Sequence, residues 1–193
     1  MLDNILLQIA KNAIVNKFDL GSSLDFDAFM RTYPFLGELG ASFVTLHSHH
    51  KLRGCIGSIV AHRNLIDDII SNAISAAFAD PRFAPLGVDE LSSLDIEVSV
   101  LTKPEVLQYD DFDDLASKVK PNIDGLILNF QNYRGTFLPQ VWEQLPNSRE
   151  FLEHLAYKAG ANPSIYDHHP TIYRYGVEAI SEKFDAILPL KSR

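Results

Sequence analysis

Apolar residues recur at three- and four-residue spacing through Leu2, Ile5, Leu6, Ile9, Ala10, Ala13, Ile14 and Phe18, which predicts an amphipathic helix with one face on a sheet. Residues 19–40 lose that period and hold Gly21, Ser22, Ser23, Pro34, Gly37 and Gly40, the composition of a loop with one short helical turn. A β-branched and aromatic run at 42–47 is followed by polar Ser48 to Lys51. An apolar, small-residue run from Leu52 to Val60 then completes a predicted β-hairpin. In its second strand, period two sends Leu52, Gly54, Ile56 and Ser58 to one face. Arg53, Cys55, Gly57 and Ile59 go to the other, so Arg53 and Cys55 are expected to project together.

A second helix is expected after Asn64 as cap, with Asp67 near its positive end and Leu65, Ile66, Ile69, Ile70, Ala73, Ile74 and Ala77 as its apolar face. Pro81 disfavours helical geometry at Asp80 and should end it. Residues 94–101 alternate Leu94, Ile96, Val98 and Val100 against Asp95, Glu97 and Ser99, a half-buried strand that favours antiparallel pairing. Further on, the pattern predicts a short helix around Leu115, Ala116 and Val119, a strand at 124–130, and a turn through Gln131 to Gly135 into a strand ended by Pro139. Asn147 with Glu150 three residues later resembles a capping box for a helix that Gly160 closes, and 171–180 is a last strand.

Charge and composition narrow the classes. Hydrophobic residues make up 46% and charged ones 22% of the 193-residue chain, which excludes disorder and allows one large domain or two packed lobes. The excess of 25 Asp and Glu over 17 Lys and Arg, without a basic run, argues against a phosphate-gripping nucleic-acid binder. The acidic cluster Asp110, Asp111, Asp113 and Asp114 reads as a loop and helix start, because it lacks the spacing of a calcium loop. With no bilayer-length apolar run, no leader pattern and a lone cysteine, the expectation is a cytoplasmic protein with a free thiol and no membrane association.

The candidate chemistry centres on Leu52 to Ser58. Glycine at 54 and 57 weakens a strand unless the backbone must approach something closely. One reading has Gly54 and Gly57 clearing room for a ligand beside Cys55, with Arg53 offering its guanidinium to an anion and lowering the thiol pKa. The other has a small buried cysteine in a strand with a glycine bulge. Seven histidines (His47, His49, His50, His62, His154, His168, His169) could supply a base, and His47, on the paired strand, is best placed. The adjacent pairs His49-His50 and His168-His169 lack zinc spacing, so no metal and no cofactor is expected. Asp80 and Arg82 flank a rigid proline, and Glu97 sits among apolar strand neighbours.

Leu52-Arg53-Gly54-Cys55-Ile56-Gly57 followed by Ala77-Phe78-Ala79-Asp80-Pro81-Arg82-Phe83 resembles the AMMECR-one family, known in prokaryotes as AmmeMemoRadiSam system protein A. Glu97 to Leu101, Asp124-Gly125-Leu126, Leu138 to Val141, Lys158-Ala159-Gly160 and Tyr173-Arg174-Tyr175 are similar to later family blocks in order. The resemblance implies an α+β fold of antiparallel sheets with packed helices in two closely associated lobes. It also implies a single domain over 1–180, a C-terminal tail at 181–193, and a cysteine motif lining a cleft. Possible partners implied in the same way are a Memo-like protein and a radical S-adenosylmethionine protein. Arg53, Gly54, Cys55, Gly57, Asp80, Arg82, Glu97 and Gln140 fall on family positions, whereas Asp167-His168-His169 matches no block.

The leading expectation is a thiol-dependent enzyme or modifying factor with Cys55 as the reactive group and Asp80 or Glu97 handling protons. Arg53, Gly54, Gly57, Arg82 and Gln140 would hold a small anionic substrate. The alternative is a non-catalytic protein-interaction module in which Cys55 only packs.

Overall fold

The computed structural model describes residues 3–23 and 26–190; Leu2 of the first apolar stripe lies outside them. The chain forms two compact units, residues 1–101 with 178–193, and residues 102–177.

In the first unit, α1 (Ile5–Val15) buries Leu6, Ile9, Ala10, Ala13 and Ile14, the stripe that the spacing predicts. The glycine-rich stretch that follows is more regular than a loop. It forms α2 (Phe26–Thr32) and a 3-10 turn at Pro34–Gly37, where proline occupies the first helical turn and loses no hydrogen bond. After the short β1 (Leu39–Gly40) come β2 (Ser42–Ser48) and β3 (Lys51–Gly57), the expected hairpin, which ends three residues earlier than the apolar run. His49 and His50 form its two-residue turn with φ of 49° and 62°, the left-handed pair that matches the twist of a hairpin. β4 (Arg63–Asn64) pairs with β1. α3 (Leu65–Phe78) starts after Asn64 and ends before Asp80, as Pro81 requires.

β5 (Leu94–Leu101) alternates as predicted, with Leu94, Ile96 and Val98 in the core. The antiparallel neighbours β3, β2 and β5 are completed by β10 (Val177–Lys183), giving the order β10-β5-β2-β3 with β3 on the edge. Val44, Leu46, Ile96 and Val98 on one sheet face share a core with the apolar stripes of α1 and α3. Each such Leu, Ile or Val contributes about 1.5–3 kcal/mol by leaving water.

The second unit contains β6 (Glu105–Val106), α4 (Phe112–Lys118), β7 (Gly125–Phe130), β8 (Tyr133–Phe137), α5 (Ser148–Lys158) and β9 (Thr171–Tyr175). Its sheet runs β6-β9-β7-β8. Asp111 caps α4 by accepting from Asp114 N, which gives the acidic cluster its structural reason. Asn147 caps α5 through the N–H groups of Arg149 and Glu150. Trp142 stacks on Phe151 in this core, ring centroids 3.7 Å apart.

Three expectations are corrected. The hairpin turn is confined to Gln131 and Asn132, so Tyr133, Arg134 and Gly135 belong to β8. The run 171–180 is two strands in different sheets, broken at Gly176, whose N–H and carbonyl bond Thr102. Residues 181–190 are therefore no tail. β10 completes the first sheet, Phe184, Ile187 and Leu190 are buried, and Lys11 donates to the carbonyls of Phe184 and Ile187. No helix among the described residues is long and apolar enough to cross a membrane.

Candidate functional site

Because side chains alternate across a strand, the first sheet has an inner face on its helices and an outer face of partly exposed residues. Thr45 on the outer face is the register partner of both Cys55 on β3 and Glu97 on β5. Cys55, Thr45 and Glu97 thus form one row across three strands. The thiol is half-buried, and Thr45 Oγ1 donates to its Sγ at 3.3 Å. At about 4.8 Å between neighbouring strands, Glu97 lies roughly 10 Å from the cysteine along that row.

Cys55 sits on the edge strand, where its backbone groups need partners from outside the sheet. Its N–H donates to Asp80 Oδ2 at 2.9 Å, and its carbonyl accepts from Arg82 Nη2 at 3.2 Å. Asp80-Pro81-Arg82-Phe83 is a tight turn closed by Phe83 N donating to the Asp80 carbonyl, with Asp and Pro at its first two positions. Arg82 returns a two-pronged bond to Asp80, Nε to Oδ1 at 2.9 Å and Nη2 to Oδ2 at 2.7 Å. These guanidinium bonds, then the N–H groups of Cys55 and Arg82, hold the Asp80 carboxyl far below the usual carboxylate range against the opposing effect of burial.

Arg53 behaves differently from its expected place beside the thiol. The hairpin register shifts between Leu46 and His47, whose partners are Gly54 and Leu52, so Arg53 is the extra residue of a bulge. Its guanidinium bonds Glu90 through Nε at 2.7 Å and Nη2 at 2.9 Å, while Glu90 also accepts from Gly87 N. The Phe83 ring packs against both guanidinium groups, 5.9 Å from Arg53 and 5.5 Å from Arg82. The two arginines expected to hold an anion are both already bonded to carboxylates.

The glycines also have packing reasons in place of the expected ligand clearance. A Cβ on Gly54 would lie 2.1 Å from the Ala76 carbonyl oxygen, because β3 presses directly on the α3 backbone. A Cβ on Gly57 would lie 2.2 Å from the ring of its cross-strand partner Phe43. The room at both positions is filled by protein atoms.

Glu97 borders an open cavity of about 390 Å³ on the first unit, together with His47, His50, Asp95, Glu182 and Lys183. Glu97 accepts one long bond from Ser99 Oγ, 3.3 Å. His47, two residues along β2 from Thr45, sits diagonally from Cys55, some 7–8 Å in such a register, so no Cys-His hydrogen bond forms. Gln140 belongs to the second unit, in the 3-10 turn Pro139–Glu143. Among the described residues no group of three or more His, Cys, Asp and Glu is arranged to hold a metal ion.

Three residues of this region escape a reading of the sequence. Thr45 is found only through the hairpin register, and Glu90 lies far along the chain from the arginine it binds. The third, Asp68, is fully buried and accepts from Ser42 N and Oγ, Ser58 Oγ, Arg63 Nε and Asn72 Nδ2 at 2.7–2.9 Å. Burial alone would raise its pKa, but the bonds from Ser58, Arg63 and Ser42 outweigh that and lower it. Asp68 and Asn72, one helical turn apart inside an apolar stripe, were the available signal.

The architecture is that of an α+β protein with helix-backed antiparallel sheets and a cysteine on a braced edge strand. The chain belongs to the AMMECR1 family, whose model matches residues 7–180. It is 42% identical over 142 residues to a protein of Methanothermobacter thermautotrophicus, covering 72% of this chain and 74% of that one. Protein MJ0810 of Methanocaldococcus jannaschii is 34% identical, over 88% of this chain and 85% of its own length. The crystal structure of the uncharacterized protein PH0010 from Pyrococcus horikoshii is similar at a TM-score of 0.69 and 33% identity, covering 93% of this chain and 91% of that one.

Proposed function

We propose that this protein carries out thiol-dependent chemistry on a small polar molecule lying along the outer face of its first sheet, with Cys55 as the reactive group. The observation that carries the reading is the row Cys55, Thr45 and Glu97, which sets a hydrogen-bonded, half-buried thiol two strands from a carboxylate that lines the cavity, a cavity the thiol itself does not border. The hydroxyl of Thr45 orients the sulfur, which bonds an electrophilic atom as the thiolate. Glu97, roughly 10 Å away by strand spacing, acts on the far end of the bound molecule and not on sulfur. Asp80, whose two oxygens are occupied by four donors, is a bracing group and not a proton carrier.

The substrate's charge follows from which carboxylates are paired. Arg53 and Arg82 are neutralised by Glu90 and Asp80, whereas the cavity sets Asp95, Glu97 and Glu182 against Lys183. A cationic or neutral polar molecule therefore fits this face better than the anion expected from the sequence. Methanethiosulfonate reagents test both parts. The trimethylammonium reagent is expected to modify native Cys55 about tenfold faster than the sulfonate reagent, after normalising to free cysteine, and Glu97→Gln should narrow the ratio. Equal normalised rates contradict the charge preference. Absence of reaction with either reagent contradicts the thiol reading and favours an interaction module.

A further inference from the structure

The Asp80-Arg82 pair occupies the place on the sheet edge where another strand would otherwise run. A neighbouring strand would accept the Cys55 N–H and donate to the Cys55 carbonyl; here a carboxylate accepts the first and a guanidinium donates to the second. The two groups bond each other twice, and Arg82 N also donates to Asp80 Oδ1 at 3.0 Å, so the pair is rigid before it meets the strand. Its turn is held from the other side as well. The Phe83 ring packs against Arg53, and Glu90 ties Arg53 to the backbone of Gly87. Loop 79–90 is thus bonded to β3 at Arg53 and at Cys55, on both sides of Gly54, which cannot move inward because it touches the α3 backbone.

We infer that Asp80 and Arg82 are positioning residues for Cys55. They fix the peptide unit that carries the thiol, and neither contacts the substrate. The functional half of this inference rests on the thiol reading above; the bracing of the Cys55 peptide does not. Asp80 is buried while the Arg82 side chain is 52% exposed, so Arg82 can be replaced without opening the core.

The test combines the rate of native iodoacetamide alkylation at neutral pH with amide hydrogen exchange at Cys55. Arg82→Met removes the donor to the Cys55 carbonyl and should slow native alkylation at neutral pH severalfold. Arg82→Lys keeps a cationic donor without the fork and should restore most of that rate. Asp80→Ala should speed exchange of the Cys55 amide at least about tenfold, as loss of its acceptor requires, while the rest of β3 stays protected. Asp80→Asn, which keeps an acceptor but not the ion pair, should show a smaller rise and serves if the alanine variant does not fold. A reactive wild-type thiol whose alkylation rate Arg82→Met leaves unchanged, or an amide whose exchange neither Asp80 variant alters, overturns the positioning role alone. A wild-type thiol that stays unlabelled until the protein unfolds overturns the thiol reading and the positioning role with it.

Discussion

The two four-stranded sheets share one plan up to their edges. Each ends in a tight hairpin, β2-β3 in the first and β7-β8 in the second, with the later strand outermost. Each edge strand carries a glycine pressed on a helix, Gly54 against Ala76 of α3 and Gly135 against Ala159 at the end of α5. They differ in what meets the edge. On β8 the Phe137 carbonyl accepts from the Tyr175 hydroxyl at 3.0 Å, but that phenol comes from β9 of the same sheet, across Gly125 of β7, and not from outside the edge. On β3 an ion pair takes both backbone groups of the cysteine. Glycine on an edge strand here reports helix packing and recurs where there is no thiol; the charged brace is what sets the first sheet apart.

Buried carboxylates give the largest contrast. Asp68 gathers five bonds, including one from Arg63, whereas Asp124 of the second unit receives one side-chain bond, from Lys120 N. Asp68→Ala should cost about 3–5 kcal/mol, because it strands a cation and several donors. Asp124→Ala should cost about 1–2 kcal/mol. Urea denaturation read by far-UV circular dichroism and by fluorescence of Trp142, the chain's single tryptophan and part of the second core, measures both. Equal losses would erase the contrast.

The same carboxylate predicts a pH dependence. The Asp68 pKa is lower folded than unfolded, so its contribution is fully present above the unfolded value near 4 and is lost as pH falls toward the folded value. Wild type should lose stability steadily below about pH 4. Asp68→Asn should start less stable and fall less steeply, and parallel curves would contradict the assignment.

The glycine pair comes next in size. At Gly54 an added Cβ meets a backbone carbonyl at 2.1 Å, and at Gly135 it meets a backbone nitrogen at 2.8 Å. Gly54→Ala is expected to cost about 3 kcal/mol and Gly135→Ala about 1–2 kcal/mol. Smallest of all is Thr45→Val, which leaves the fold in place and should slow native alkylation of Cys55 severalfold at neutral pH by removing the hydrogen bond to sulfur.

The regular elements were legible because burial imposes a period. The stripes of α1 and α3 and the alternation of β5 are readable residue by residue. Positions governed by distant partners were not. Between β9 and β10 the only local mark is Gly176, since both strands continue an extended pattern and what parts them is the sheet each joins. The bulge at Arg53 redirected the one side chain that simple alternation had placed beside Cys55. Of the site, the motif residues Cys55, Asp80 and Arg82 come together on one edge, a grouping the spacing of the chain could not supply. Thr45 and Glu97 join the row only once the hairpin register and the β2-β5 pairing are known.

All of this turns on whether the edge-strand thiol is presented or packed away. The direct measurement is the rate of iodoacetamide alkylation at Cys55 in the native protein at neutral pH, read by intact mass, against the same chain unfolded in urea and against Cys55→Ser. A presented, hydrogen-bonded thiol predicts a native rate at least equal to that of the unfolded chain and no adduct on Cys55→Ser. A native rate lower by a factor of about a hundred or more, with labelling only on unfolding, would make Cys55 a packing residue and contradict the account.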